Sequence, residues 1–282
     1  MCGADREEKM GYCHTPWEFK IARAGLHFWE EPPISGKNGS GTVFFSGCNL
    51  GCVYCQNYEI SHGDTGKTIS EERLLEIFSE LEDRGAHNIN LVNPTHYAER
   101  LVGLLEHYDK RLPVVYNSSG YERVETLQKL DETVDIYLPD FKYISPTKSL
   151  RYSAAEDYFE FASKALIEMK KQRSENVYTE NEIMQKGMIV RHLILPKNTN
   201  QSIEILRWIY NNLGEDTSIS LMAQYTPFGK IENYSELQRK ITEREYDKVL
   251  SFALSLGFEN IFTQEPSSSS VDFIPNFDLT GV

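Results

Sequence analysis

Six short runs rich in β-branched, aliphatic and aromatic residues alternate along this chain with segments whose apolar residues recur at helical period. The strand-like runs are residues 42–46, 88–93, 113–117, 134–138, 188–195 and 218–223. The helical segments are 70–84, with Leu74, Leu75, Phe78 and Leu81 on one side, then 97–108, 121–130, 154–173 and 201–213. Ser70 suits an N-cap, because its hydroxyl can accept a free first-turn N–H, and Gly85 and Gly214 suit helix stops. Strands that alternate with helices pair in parallel, since a parallel neighbour can be reached only by a long crossover. No repeat of solenoid type is present, and six units fall short of the eight of a closed barrel.

In sheets of this kind the chemistry sits at the C-terminal ends of the strands. Those ends carry residues 47–55, Asn93-Pro94-Thr95-His96, Asn117-Ser118-Ser119-Gly120, Pro139-Asp140-Phe141-Lys142, 191–196 and Gln224-Tyr225-Thr226. Any one of these could be a turn or a cap, and Thr95 suits a cap of the following helix. Six polar clusters at one rim suggest a site. Asp140 and Lys142, two apart on an extended segment, point the same way and could hold the opposite charges of a zwitterion; a simple rim salt bridge is the alternative.

The first strand end contains Cys48, Cys52 and Cys55, spaced C-x3-C-x2-C with Tyr54 just before the last. A zinc site would pair such a motif with further Cys or His about 12 to 20 residues away. No cysteine follows Cys55, and the nearest histidine downstream is His62. Three thiolates in one loop match a [4Fe–4S] cluster with one iron lacking a protein ligand, an arrangement for chemistry. A non-catalytic electron-transfer protein is disfavoured, because such clusters have every iron ligated. Gly47 and Gly51 are expected to let the backbone approach the cluster and aim N–H groups at its sulfurs.

At 282 residues, 40% hydrophobic and 25% charged, the chain can bury a large core. No stretch is long and apolar enough to span a membrane, and the opening residues lack an apolar signal core, so a cytoplasmic location is expected. All five cysteines lie within the first 55 residues, which argues against a disulfide framework. A formal charge of −13 argues against a broad phosphate-binding surface, so a nucleic-acid partner is not expected.

The cysteine loop resembles that of the radical S-adenosylmethionine superfamily. Val134-Asp-Ile-Tyr-Leu-Pro-Asp-Phe-Lys142, Asn117-Ser-Ser-Gly-Tyr121 and Val190-Arg-His-Leu-Ile-Leu-Pro196 are similar to pyruvate formate-lyase activating enzymes, and more so to their PflX-like branch. The similarity runs from Cys2 to about Thr242 and includes Leu26-His-Phe-Trp-Glu-Glu-Pro-Pro-Ile-Ser-Gly36. The resemblance implies an α/β fold, a partial (βα)6 TIM-like barrel over residues 40–263, with an N-terminal extension over 1–39 and a C-terminal tail over 264–282. It implies a [4Fe–4S] cluster and S-adenosyl-L-methionine as cofactors, with Cys48, Cys52 and Cys55 as the iron ligands. Tyr54 would then lie by the adenine, Asn93 and Thr95 by the methionine amine, and Asn117 and Ser118 near the cofactor. Asp140, Lys142 and Arg191 would contact its ribose or methionine part.

The implied chemistry is one-electron reduction of the sulfonium to a 5′-deoxyadenosyl radical that abstracts a substrate hydrogen. Implied partners are a glycyl-radical enzyme and an electron donor such as flavodoxin or ferredoxin; another peptide or a small molecule is the alternative substrate. The chain departs from the family at three rim positions. Activating enzymes carry Ser-Gly-Gly-Glu where this chain has Asn93-Pro94-Thr95-His96, and Pro94 offers no N–H to an amine. Neutral Asn117 stands where they use an acidic residue for a monovalent cation, and Thr226 where they have a histidine. PflX-like proteins begin with a four-cysteine segment, of which Cys2 and Cys13 are present, and a start placed inside that segment is expected. Two thiols do not complete a second cluster.

His96, His192 and His27 invite a general-base reading, because a free imidazole titrates near neutrality, and the first two fall at the expected rim. Residues 266–270 read as a flexible linker. Phe273, Ile274 and Phe277, between Asp272 and Asp278, suggest a tail that docks back onto the body, a partner-binding tail being the alternative.

Overall fold

The computed structural model describes residues 4, 6, 8–264 and 274–282. Cys2, the linker at 266–270, Asp272 and Phe273 lie outside the described residues. In chain order the elements are β1 (Phe19–His27), α1 (Pro32–Ser35), β2 (Ser40–Phe45), α2 (Tyr58–His62), β3 (Lys67–Ile69), α3 (Glu71–Asp83), β4 (Ile89–Val92), α4 (Ala98–Glu106), β5 (Val114–Ser118) and α5 (Val124–Leu130). There follow β6 (Ile136–Pro139), α6 (Pro146–Ser153), α7 (Tyr158–Gln172), β7 (Val177–Tyr178), β8 (Met184–Leu193), α8 (Thr199–Leu213), β9 (Ser218–Met222), α9 (Glu243–Leu256) and β10 (Ile261–Thr263).

The sheet runs in the order β10-β9-β8-β6-β5-β4-β2-β1-β3, with β7 paired to β8 alone. From β2 to β10 the neighbours on this path pair in parallel. Every residue of β2, β4, β5, β6 and β9 is buried, as expected of parallel strands covered on both faces. The sheet does not close into a barrel, because β3 and β10 remain its two ends. All six expected strands are present, shifted by a few residues at their ends. The seventh parallel strand, β10, has only three residues and carries too little pattern to be read.

The N-terminal region also holds a strand that the sequence reading missed. β1 adds antiparallel to β2, with a register irregularity between Ile21 and Arg23, and β3 adds antiparallel to β1. Its residues Phe19, Ile21, Ala22 and Ala24 are buried, but Arg23 and Gly25 interrupt the apolar pattern. Ser70 caps α3 as expected, its hydroxyl accepting from the Arg73 N–H, and Gly214 ends α8 at a φ of 95°. The helix expected over 154–173 is present as α7, starting at Tyr158, and α6 before it was not expected. Ala154 adopts a left-handed φ of 53° and ends α6, and the chain restarts at α7. Thr95 does not cap α4 through its side chain.

The C-terminal residues dock back on the body. Ala24 N donates to Thr280 O at 2.9 Å, Leu279 N to Ala22 O at 3.1 Å, and Arg23 holds the Asn276 carbonyl and the Asp278 carboxylate. Phe277 is buried against Ala22, Phe44, Ile60 and Val92. The tail thus covers the outer edge of β1 beyond β3, an edge that would otherwise expose unpaired backbone groups.

Candidate active site

The loop between β2 and α2 carries the three cysteines, and α6 holds it in place. Gly51 N donates to Ser153 O at 3.2 Å and Val53 N to Tyr152 O at 2.9 Å, so the last carbonyls of α6 accept from the loop. Gly47 N donates to Ile60 O at 2.7 Å. This corrects the expectation for the two glycines, whose N–H groups go to carbonyls and not to sulfur. Their lack of a side chain serves packing: a Cβ on Gly47 would lie 2.4 Å from Cys13 O, and one on Gly51 2.3 Å from Tyr12 Oη. The donors to sulfur are others. Leu50 N reaches Cys48 Sγ at 3.4 Å, Asn93 Nδ2 reaches it at 3.2 Å, and Ser153 Oγ reaches Cys52 Sγ at 2.9 Å.

Burial, reinforced by the neighbouring thiols, pushes Cys48 up to about 12. Burial pushes Cys52 up to about 11 against the pull of Lys142, and Cys55 also rises through burial. The free thiols are therefore neutral, and iron would have to displace their protons. Among the described residues no three His, Cys, Asp or Glu side chains are grouped to hold a single metal ion. Three soft sulfurs that do not share one ion, and that have hydrogen-bond donors of their own, fit a cubane with one thiolate on each of three irons.

Two cavities meet at this loop. One, of about 130 Å³, is lined by all three cysteines together with Asn93, Ser118 and Ser119. The other, of about 200 Å³, is lined by Tyr54, Gln56, Gln224, His27, Trp29 and the tail residues Ile274 and Pro275. Asn117, Asp140, Lys142 and Arg191 line both. These four residues are tied together. Lys142 Nζ lies 2.5 Å from Asp140 Oδ2, Arg191 Nε lies 2.9 Å from Asp140 Oδ1, and an Arg191 terminal nitrogen donates to Asn117 Oδ1 at 2.6 Å. Glu30, in the segment after β1, completes the ring. Its carboxylate accepts from Asn90 at 3.1 Å, Asn117 at 3.0 Å and Arg191 at 3.1 Å. Burial alone would raise the Asp140 carboxyl, but the Arg191 and Lys142 cations outweigh it and hold the group below its usual range. Burial opposes the Lys142 charge, and Asp140 overrides it.

The strand ends thus bring Tyr54, Asn93, Asn117, Ser118, Asp140, Lys142 and Arg191 to the walls of the two cavities. Tyr54 is buried, its hydroxyl 2.6 Å from that of Tyr143. Thr95 lies behind Asn93, not on either wall, and lines a separate cavity beside the N-terminal segment. The histidines sort differently from the sequence reading. His192 is buried and fully bonded, Nδ1 to Phe141 O at 2.8 Å and Nε2 to Ser202 Oγ at 2.9 Å, and burial lowers it to about 4. His96 bonds Ser46 O at 2.8 Å, and burial lowers it to about 3. Only His27 of the three lines the larger chamber. The residues missed from sequence are Glu30, Ser153 and Glu122. Glu30 lies inside a quoted segment, yet an acidic residue after an unrecognised strand gave no sign of pointing inward.

A radical SAM superfamily model matches residues 42–209, more than half of the chain and the whole cysteine loop. An uncharacterized protein of Methanocaldococcus jannaschii is 30% identical over 271 residues, spanning 93% of this chain and 74% of that protein. The 7-carboxy-7-deazaguanine synthase of Clostridium acetobutylicum is 27% identical over 165 residues, 54% of this chain and 72% of that enzyme. The structure of Streptococcus suis SuiB bound to its precursor peptide SuiA superposes with a TM-score of 0.53 at 13% identity, over 77% of this chain and 46% of that one. The chain thus spans about half the length of that solved structure, and the likeness is one of fold. With the family model laid over the cysteine loop and the parallel sheet that presents it, this chain belongs to the radical SAM superfamily.

Proposed function

We propose that this chain is an activating-type radical enzyme in which Cys48, Cys52 and Cys55 ligate three irons of a [4Fe–4S] cluster and the ring of Asn117, Asp140, Lys142 and Arg191 holds S-adenosylmethionine at the fourth. The observation that carries this reading is the pair of adjoining cavities with those four residues as their common wall. When bound and reduced, these cofactors, which the superfamily uses, supply a 5′-deoxyadenosyl radical. The protein's part is to hold the reactants and shield them. Asn93, Leu50 and Ser153 donate to the cysteine sulfurs, Lys142 and Asp140 present opposite charges to a zwitterionic amino acid group, and Tyr54 offers an aromatic wall.

For the substrate we favour a glycyl residue of a partner enzyme, whose Cα hydrogen the radical supplied by the bound cofactors would take up, leaving the unpaired electron on that glycine. Pockets that bury a small ligand commonly measure about 300–1,000 Å³. Chambers of about 130 and 200 Å³ fall below that range and leave little space for an enclosed substrate beside the cofactors. The substrate would then approach from outside, past Trp29. A small-molecule substrate is the second reading, favoured by the tail residues Ile274 and Pro275 that wall the larger chamber.

Anaerobic reconstitution should give about four irons per chain, and Ala at any of Cys48, Cys52 or Cys55 should abolish the cluster while Cys13→Ala retains it. A normal cluster in any of the first three variants refutes the ligand assignment. With the cluster in place, electron paramagnetic resonance on the reduced protein mixed with S-adenosylmethionine and a glycyl-radical enzyme from the same organism should show a glycyl radical. Production of 5′-deoxyadenosine without any such signal would favour the second reading.

A further inference from the structure

Glu122 is buried in the connection between β5 and α5, and the mechanism above does not use it. The Thr95 hydroxyl lies 2.5 Å from Glu122 Oε1 and 2.8 Å from Asn93 Oδ1, and Asn93 Nδ2 lies 3.2 Å from Cys48 Sγ. The Thr95 hydroxyl has one proton, whereas an amide oxygen and an ionised carboxylate only accept. An ionised Glu122 and Asn93 Oδ1 would therefore compete for that proton. All contacts are satisfied when Glu122 carries its own: the carboxyl donates to Thr95 Oγ, Thr95 donates to Asn93 Oδ1, and the amide N–H is left facing sulfur.

We infer that Glu122 is a positioning residue, a neutral carboxyl that acts through Thr95 to hold the Asn93 amide against Cys48 and so sets the reduction potential of the cluster. The inference rests on Cys48 as a cluster ligand. Hydrogen bonds to cluster sulfurs stabilise the more negative, reduced state and raise the potential. Loss of the Glu122 proton removes the support for one such bond and adds a buried negative charge, and both changes lower the potential.

The surroundings agree. Tyr116 Oη lies 3.4 Å from Oε2, and the Ser118 hydroxyl also reaches the carboxyl. Tyr137 and Tyr158 stand nearby as neutral phenols, each raised chiefly by burial. Among the described residues no cation balances a charge on Glu122. Burial raises the carboxyl to about 7 despite the three hydroxyls. The group is thus protonated below neutrality and loses its proton as pH rises through it.

The test uses the reconstituted full-length chain, with the cluster potential measured by spectroscopic redox titration at pH values on both sides of neutrality. The wild-type potential should fall as pH rises. Glu122→Gln, whose amide can still donate to Thr95, should hold the wild-type low-pH value at every pH. Thr95→Val should lower the low-pH potential and shrink the dependence to the part that the Glu122 charge itself carries, and Thr95→Ser should restore both. Infrared difference spectra of the iron-free protein should show a neutral carboxyl band in the wild type that Glu122→Gln lacks. A pH-independent wild-type potential, a slope retained in Glu122→Gln, or no band lost in that variant would each overturn the relay. The infrared measurement needs no cluster. Its failure while Cys48→Ala still abolishes iron binding would sink the relay alone, whereas a cluster that survives Cys48→Ala removes the reading beneath it. If Glu122→Gln does not fold, the Thr95→Val and Thr95→Ser pair decides.

Discussion

Asp140 touches two cations at once, and this makes its removal unlike that of either partner. Lys142→Ala leaves Asp140 bonded to Arg191 at 2.9 Å, so the fold and iron content should survive. If Lys142 meets the cofactor through a charge-assisted contact of about 1.5–3 kcal/mol, affinity for S-adenosylmethionine should fall roughly ten- to hundredfold. Asp140→Ala instead leaves the buried Lys142 cation without its carboxylate and Arg191 with Glu30 alone, and should lower stability by about 3–5 kcal/mol as well. Calorimetric titration of cofactor and denaturant unfolding of the two variants would separate these effects. Unchanged cofactor affinity in Lys142→Ala would mean that the pair is only a structural salt bridge. Much at this scale was legible in the sequence. Polar residues ending apolar strands announced Asn93, Asn117, Asp140, Lys142 and Arg191, because the strand end fixes both height and direction. Thr95 was legible as a polar rim residue but not as one turned behind Asn93, since a 3₁₀ turn over Thr95–Tyr97 follows the strand.

Among the elements, α9 shows what a cap contributes. Thr242 Oγ accepts from Glu245 N at 3.2 Å while the Glu245 carboxylate accepts from Thr242 N at 2.9 Å, forming a capping box. Thr242→Ala should cost about 1 kcal/mol. Glu245 also holds Arg239 at 2.7 Å, and that guanidinium, with the backbone N–H donors, lowers the carboxyl from 4.5 to about 2 against the effect of burial. A lowered carboxyl stabilises the fold fully above its unfolded value and loses that contribution as pH falls from about 4.5 toward 2. Wild type should therefore lose stability more steeply than Glu245→Gln over that window, and equal slopes in acid denaturation would contradict the account. Thr242-x-x-Glu245 carries the pattern of the box in the sequence, yet α9 was not among the expected helices. The break at Ala154 was not readable, because a left-handed alanine looks like any helix former in sequence. That break matters to the site, since it puts the Tyr152 and Ser153 carbonyls and the Ser153 hydroxyl against the cysteine loop.

In the whole molecule the C-terminal residues dock at the open edge of β1. Phe277 packs edge-on against Phe44 at 5.6 Å, so Phe277→Ala should cost about 3 kcal/mol of docking. That is about a hundredfold more undocked tail, read as faster cleavage of the C-terminal segment under limited proteolysis with the body intact. Cleavage at the wild-type rate would mean that the ring does not anchor the tail. The βα alternation and the cysteine loop could be read directly, because both are local: period sets the element, and residues within one loop share one neighbourhood. Distant partners depend on sheet order. Glu30 meets Arg191 across 161 residues and Ser153 meets Cys52 across 101, because β8 lies beside β6 and α6 returns over the first loop. Spacing in the chain carries no information about such pairs, so the ionic ring, the donors to sulfur and the tail beside the chamber were settled only when packing brought the strand ends together.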